Sequence, residues 1–351
     1  TFNEFSTPYR IINKEVCHGC WNKEDFDRNN WNWCPYHEGT DRQFECTKKI
    51  SHQEVKKEID KILNKEECYK RVLIDFASAA LGDTIAWVPY VEEYRVKNNC
   101  EVFCKTFHNN LFEEVYPEIN FIESGVVVEN LSDTFKIGWD KEKDSDELYP
   151  PIEIRNQELQ RTASFLLGLD EHYEIKPKIH IKDKQRKIQQ KYVCIAVQAS
   201  SQAKYWNNQT GWKETVGYLK SLGYEVVCID KYFKFGLEGQ YNYAPDEALD
   251  MTGEFHLDDR INLLYNCEFF IGLGSGLSWL AWALDKEVVL ISGFSDPKTE
   301  FFTPYRVINE NVCNSCWNKQ DGIRQELYTG AGGGGGWNWC PEHEGTERQH
   351  E

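Results

Sequence analysis

The chain has 351 residues and a formal net charge of −17. That length holds two ordinary domains plus a small module, with a sizeable core. The negative charge excludes a nucleic-acid backbone as principal partner, and no apolar run reaches the ~20 residues that span a bilayer.

The first element in chain order is a cysteine module. Residues 3–23 read NEFSTPYRIINKEVCHGCWNK and the block closes on WNWCP at 31–35. Cys17, Cys20, Cys34 and Cys46 follow the spacing C-x2-C-x13-C-x11-C, and a helix is expected over Gln53–Leu63. Four thiolates led by Cys-x-x-Cys suit a tetrahedral Zn²⁺ or Fe site. Two disulfides are the alternative; the close Cys-x-x-Cys spacing disfavours them. So does the odd total of thirteen cysteines with no basic-then-apolar leader, a combination that points to a cytoplasmic protein.

The body alternates strand and helix patterns. Strands are expected at 70–77, 101–107 and 119–124, with weaker strand character over 125–139; helices are expected at 81–98, 109–117 and 159–169, the last stopped by Gly168. A Lys- and Gln-rich stretch at 176–191 interrupts the pattern. Strands at 191–200, 224–230, 268–274 and 286–293 then alternate with helices at 210–223, 257–267 and 275–285. This alternation predicts an α/β fold of parallel sheets in two Rossmann-like halves facing a cleft. The expected domains are 1–63, 64–185, 186–298 and 299–351, with Cys194, Cys228 and Cys267 as buried free thiols.

The last segment repeats the first. TEFFTPYRVINENVCNSCWNK at 299–319 and WNWCP at 337–341 match the opening block, and HEGT-x-RQ-x-E continues both copies. The second copy gains ten residues, most of them in GIRQELYTGAGGGGG, and as given reaches Glu351 with three cysteines: Cys313, Cys316 and Cys340. His343 or His350 is a candidate fourth ligand. The first copy reads as the tail of a preceding unit, and the complete first module is expected to hold the one tightly bound metal. Docking of that module on a neighbouring body would make the chain a homo-oligomer.

Three loops in the body carry chemistry. In ASAALGDT, Asp83 opens a helix after a strand, either as an N-cap or as a carboxylate at the cleft mouth. In QASSQAKYWNNQTGW, Lys204 follows a buried strand, where a cation can neutralise a departing diphosphate. In GLGSGLSWLAWAL, Gly272, Gly274 and Gly276 with Ser275 precede a helix whose N-terminus offers free N–H groups to an anion. No Gly-Lys-Ser/Thr follows, so this is not a Walker loop.

Taken together, ALGDT, QASSQAKYW, MTGEFHLDDRINLLYNCEFFIGLGSGLSWLAWAL and the VC-x2-CWN…WNWCP…EC module resemble the bacterial autotransporter O-heptosyltransferases. These are related to lipopolysaccharide heptosyltransferases of two-Rossmann (GT-B) architecture. The resemblance implies inverting transfer of heptose from ADP-heptose to Ser or Thr hydroxyls of an autotransporter-type acceptor protein. It implies Asp83 as general base and Lys204 as stabiliser of the leaving ADP. Gly274, Ser275 and Gly276 would hold the diphosphate, and Thr252 and Gly253 would lie near the nucleoside. The metal is implied to be structural iron, with zinc as the alternative. Two other readings remain open at this point: transfer from another nucleotide sugar, and a non-catalytic metal-binding scaffold.

Overall fold

A computed structural model describes residues 9–20, 23–63, 70–138, 157–169, 173–237, 240–319, 340, 342–343 and 345–348. The Gly-rich insert at 332–336, Cys68 and His350 lie outside the described residues. The chain divides into two compact units, Thr1–Tyr69 and Lys70–Glu351.

In the first unit the chain turns immediately after two cysteines. Cys20 O accepts from Lys23 N (3.0 Å) and Glu24 N (2.9 Å); Cys34 O accepts from His37 N (3.1 Å) and Glu38 N (2.9 Å). A short helix α1 (Glu45–Lys48) carries Cys46, and α2 (His52–Leu63) follows. Ser51 starts α2 with a reciprocal capping box: its hydroxyl accepts from Glu54 N (3.2 Å) while Glu54 Oε2 accepts from Ser51 N (2.6 Å).

The second unit contains two parallel sheets, as the alternating pattern predicts. The first has the order β3 (Ile119–Phe121), β2 (Glu101–Lys105), β1 (Arg71–Phe76), β4 (Asp133–Ile137). The second has the order β12 (Arg306–Val307), β11 (Val288–Ile291), β10 (Phe270–Leu273), β5 (Tyr192–Ile195), β6 (Glu225–Cys228), β9 (Leu249–Asp250). Every pairing within the two sheets is parallel. β5 and β10 are buried along their whole length, as expected of central strands covered on both faces. Cys194, Cys228 and Cys267 are buried free thiols.

Helices α3 (Leu81–Asn98) and α4 (Leu159–Leu166) belong to the first half, and α5 (Gly211–Ser221), α6 (Leu257–Asn266) and α7 (Gly276–Ala283) to the second. α3 packs against both α4 and α7, so one long buried helix joins the two sheets. Gly168 and Gly223, with φ of 64° and 87°, stop α4 and α5 where the sequence places the stops. Two expectations change, and one element was not foreseen. The helix at 109–117 is a single 3-10 turn, Asn109–Leu111, and the weak strand at 125–139 is confined to β4. An antiparallel hairpin, β7 (Lys234–Leu237) and β8 (Gln240–Tyr243), also interrupts the second half.

Candidate active site

Asp83 lies in the first turn of α3, three residues past Ala80, the N-cap, which makes no side-chain cap bond. The cap reading of Asp83 is therefore corrected. Asp83 Oδ2 accepts from Ser78 Oγ at 2.5 Å, and Ser78 Oγ accepts from Ala80 N at 3.2 Å. Ser78 ties the loop to the carboxylate. His108, just past β2, fixes the loop from the other side. Its Nε2 lies 3.2 Å from Ala79 O; a carbonyl only accepts, so this nitrogen carries the proton. Burial lowers the His108 pKa, favouring the neutral ring.

The N-terminus of α7 meets the N-terminus of α3. A Cβ on Gly276 would lie 2.9 Å from Leu81 Cβ and 3.2 Å from Gly82 N, and one on Gly82 would lie 3.1 Å from Trp279 Cδ1. Two glycines thus permit a close approach between the loop that carries Asp83 and the Gly274–Gly276 turn. Ser275 is the N-cap residue of α7 without a side-chain cap bond.

Lys204 ends the 3-10 turn Gln202–Lys204 at the carboxyl end of β5. Its ammonium lies 5.9 Å from the centre of the Phe294 ring. It lines a cavity of about 440 Å³ whose other walls include Ser292, Phe294, Cys313 and Cys316. Neither Asp83 nor the Gly274–Gly276 turn lines this cavity. The structure thus brings Asp83 and Gly276 together and sets Lys204 beside the second cysteine module. That module docks on the end of β11: Ser315 N donates to Gly293 O (2.7 Å), and Trp317 N to Phe294 O (3.0 Å).

A buried hub that sequence reasoning missed links three loops. The Asp230 carboxylate, at the end of β6, accepts from Val197 N (2.6 Å) and Gln198 N (3.2 Å), at the start of the Lys204 loop. Arg260 donates to the carbonyls of Ile229 (2.9 Å), Asp230 (3.0 Å) and Gly253 (2.8 Å). Gly253, with φ of 109°, takes a backbone conformation that side chains rarely adopt. Thr252 N donates to Asp250 Oδ1 (2.8 Å). Burial pushes Asp230 from its ordinary 3.8 up to about 6, against the pull of the two backbone N–H bonds. The only signal in the sequence was an Asp closing an apolar strand.

The donor set of the first module fits a thiophilic metal. Burial raises the Cys20 thiol pKa, and Cys17, Cys46 and Cys34 add to the rise. In the second module burial, with Cys313 and Cys340 nearby, pushes Cys316 up to about 11. Ligand atoms of Cys313, Glu342 and His343 lie within 4.8 Å of one another. Among the described residues, no helix is long and apolar enough to cross a membrane.

The sequence model of glycosyltransferase family 9 (heptosyltransferase) matches residues 102–330, a span that begins past Asp83. Autotransporter heptosyltransferase Aah of Escherichia coli is 42% identical over 285 residues, covering 80% of this chain and 70% of Aah. The crystal structure of TibC from enterotoxigenic E. coli, an iron-containing dodecameric glycosyltransferase, is similar with a TM-score of 0.72 and 38% identity. The match covers 80% of this chain and 71% of TibC. TibC in complex with ADP-D-beta-D-heptose gives a TM-score of 0.71 at the same identity, over 80% of this chain and 72% of TibC. BimC of Burkholderia thailandensis, named an inactive autotransporter heptosyltransferase, is 33% identical over 285 residues, 80% of this chain and 65% of BimC.

Proposed function

Because the chain belongs to glycosyltransferase family 9 (heptosyltransferase), we propose that it transfers heptose, with inversion, from ADP-heptose to Ser or Thr hydroxyls of an autotransporter-type acceptor protein. The observation that carries this reading is the meeting of the Asp83 loop with the Gly274–Gly276 turn. A carboxylate and a backbone anion site then face one cleft between two Rossmann-like halves, in the GT-B manner.

Asp83 is the general base. It takes the proton of the acceptor hydroxyl as that oxygen attacks the anomeric carbon and ADP leaves from the opposite face. Ser78 orients the carboxylate through the 2.5 Å bond. The Gly276 N–H and the Ser275 hydroxyl hold the diphosphate, and the Lys204 ammonium offsets the charge that develops on the leaving group. The Asp230–Arg260 hub sets the Lys204 loop and the Thr252–Gly253 turn, which lies near the nucleoside, in one frame.

Structural iron is held by Cys17, Cys20, Cys34 and Cys46, and a second site by Cys313, Cys316 and Cys340. When bound, such a metal cross-links chain segments; four thiolates leave no open position for catalysis. The thiolate sets suit a reducing compartment, and we place the chain in the cytoplasm as a homo-oligomer.

Incubation of the purified chain with ADP-heptose and an autotransporter passenger, followed by mass spectrometry of Ser and Thr peptides, tests the reading. Wild type is expected to add heptose, Asp83→Asn to be slower by ~10²-fold or more, and Lys204→Ala to use the donor poorly. The existence of BimC favours a second reading, a non-catalytic scaffold. Absence of transfer by wild type with this and other nucleotide sugars would select it.

A further inference from the structure

The segment after β11 carries a carboxylate that the mechanism does not use. Glu300 Oε2 accepts from Arg306 Nη1 at 2.5 Å and from Ser292 Oγ at 3.1 Å. The two ionic side chains are about nine-tenths buried, 9% exposed for Glu300 and 10% for Arg306. The other oxygen, Oε1, lies against Gly274, so closely that a Cβ on Gly274 would overlap it. The Glu300 carboxylate thus fills the volume that a side chain at position 274 would occupy.

This placement is rigid. Phe301 stacks on Trp282 (ring centroids 5.3 Å apart, 21°) and meets Trp279 edge-on (5.0 Å, 80°). Trp279 is the indole that bounds Gly82. Upstream, the turn Pro297–Thr299 is capped by Asp296, whose N donates to Asn318 Oδ1 of the second cysteine module at 2.8 Å. The carboxylate is therefore fixed to the helix beside Asp83 and, through Asn318, to the module.

A buried ion pair contributes little net stability compared with apolar residues of the same volume, so packing alone does not explain a Glu–Arg pair here. An anion is repelled by a diphosphate, so Glu300 is unsuited to hold the phosphates. A carboxylate with one oxygen committed to Arg306 and Ser292 presents the other as a fixed acceptor for hydroxyl groups.

We propose that Glu300 is a specificity-determining residue for the donor: its carboxylate, oriented by Arg306 and Ser292, accepts hydrogen bonds from hydroxyls of the sugar whose diphosphate lies on the Gly274–Gly276 turn. The inference rests on the glycosyltransferase reading and adds a residue to it. It also gives Gly274 a second purpose, which is to leave room for the Glu300 side chain.

Calorimetric titration of the whole chain with ADP and with ADP-heptose separates the two ideas. Glu300→Gln keeps the size of the side chain. It is expected to bind ADP within about twofold of wild type and to lose roughly tenfold or more in affinity for ADP-heptose. Arg306→Lys keeps the positive charge but loosens the hold on the carboxylate, and is expected to produce the same selective loss to a smaller degree; it serves as the test if Glu300→Gln does not fold. Equal losses for ADP and ADP-heptose in the variants would make Glu300 a packing residue and overturn the proposal, as would unchanged affinity for both. A wild-type chain that binds neither ligand would overturn the donor reading and this inference with it.

Discussion

At the scale of single residues, two glycines at the helix N-termini, Gly82 and Gly276, set how closely α3 and α7 approach. The sequence reading of Gly276 asks only that the backbone approach a diphosphate. The structure adds that its missing Cβ makes room for Leu81 and Gly82. Gly276→Val is therefore expected to abolish ADP binding and also to destabilise the fold by about 1–3 kcal/mol through overpacking. Calorimetry and thermal melts measure the two effects separately; wild-type ADP affinity in that variant would move the diphosphate site elsewhere. The identity of Asp83 as a candidate was legible, because a strand, a small-residue loop and a helix start are adjacent in sequence. The choice between its cap and cleft readings was not, because it depends on Ala80 taking the N-cap position and Ser78 closing the loop.

At the scale of elements, the Asp230–Arg260 hub shows what adjacency cannot reveal. Asp230 is 30 or more residues from the N–H groups it binds, and only the parallel pairing of β5 with β6 brings them together. The folded-state pKa of about 6 lies above the ordinary 3.8, so the native state binds this proton more tightly than the unfolded one. The stability it contributes is fully present below about pH 4 and is lost as pH rises through about 6. Asp230→Asn is expected to flatten the stability profile between those values. It also deprives one backbone N–H of its acceptor, so the slope and not the absolute stability is diagnostic; chemical denaturation at pH 4, 5, 6 and 7 measures it. An unchanged slope would mean that Asp230 stays ionised throughout. Glu300 was missed for another reason. It lies in the repeated Glu-Phe-x-Thr-Pro-Tyr-Arg block, whose cysteines drew attention away from its Glu and Arg. The β7–β8 hairpin was not foreseen; its two four-residue strands lie between the strand expected at 224–230 and the helix expected at 257–267.

At the scale of the whole molecule, two copies of one module flank one body in the sequence. The parallel α/β architecture was readable throughout, since strand and helix periods alternate with little ambiguity. The docking of the second module beside Lys204 was not, because it depends on Ser315 and Trp317 reaching the carbonyls at the end of β11. A complete set of four thiols favours the first module as the tighter metal site, and a structural site of this kind contributes on the order of 10 kcal/mol. Elemental analysis is expected to find iron retained in Cys313→Ser and largely lost in Cys17→Ser; the reverse pattern would assign the metal to the second copy.

Under the proposed function, the contact between Gly82 and Gly276 would also be a fulcrum at the working end of the joint between the two sheets. If the two sheets swing against each other, atoms beside the fulcrum travel little, while those on a long lever arm sweep through wide arcs. Asp83 and the Gly274–Gly276 turn would therefore keep their mutual spacing through such a swing, and the travel would fall on surfaces far from the fulcrum. A large acceptor can then enter and leave without disturbing the alignment on which each transfer depends.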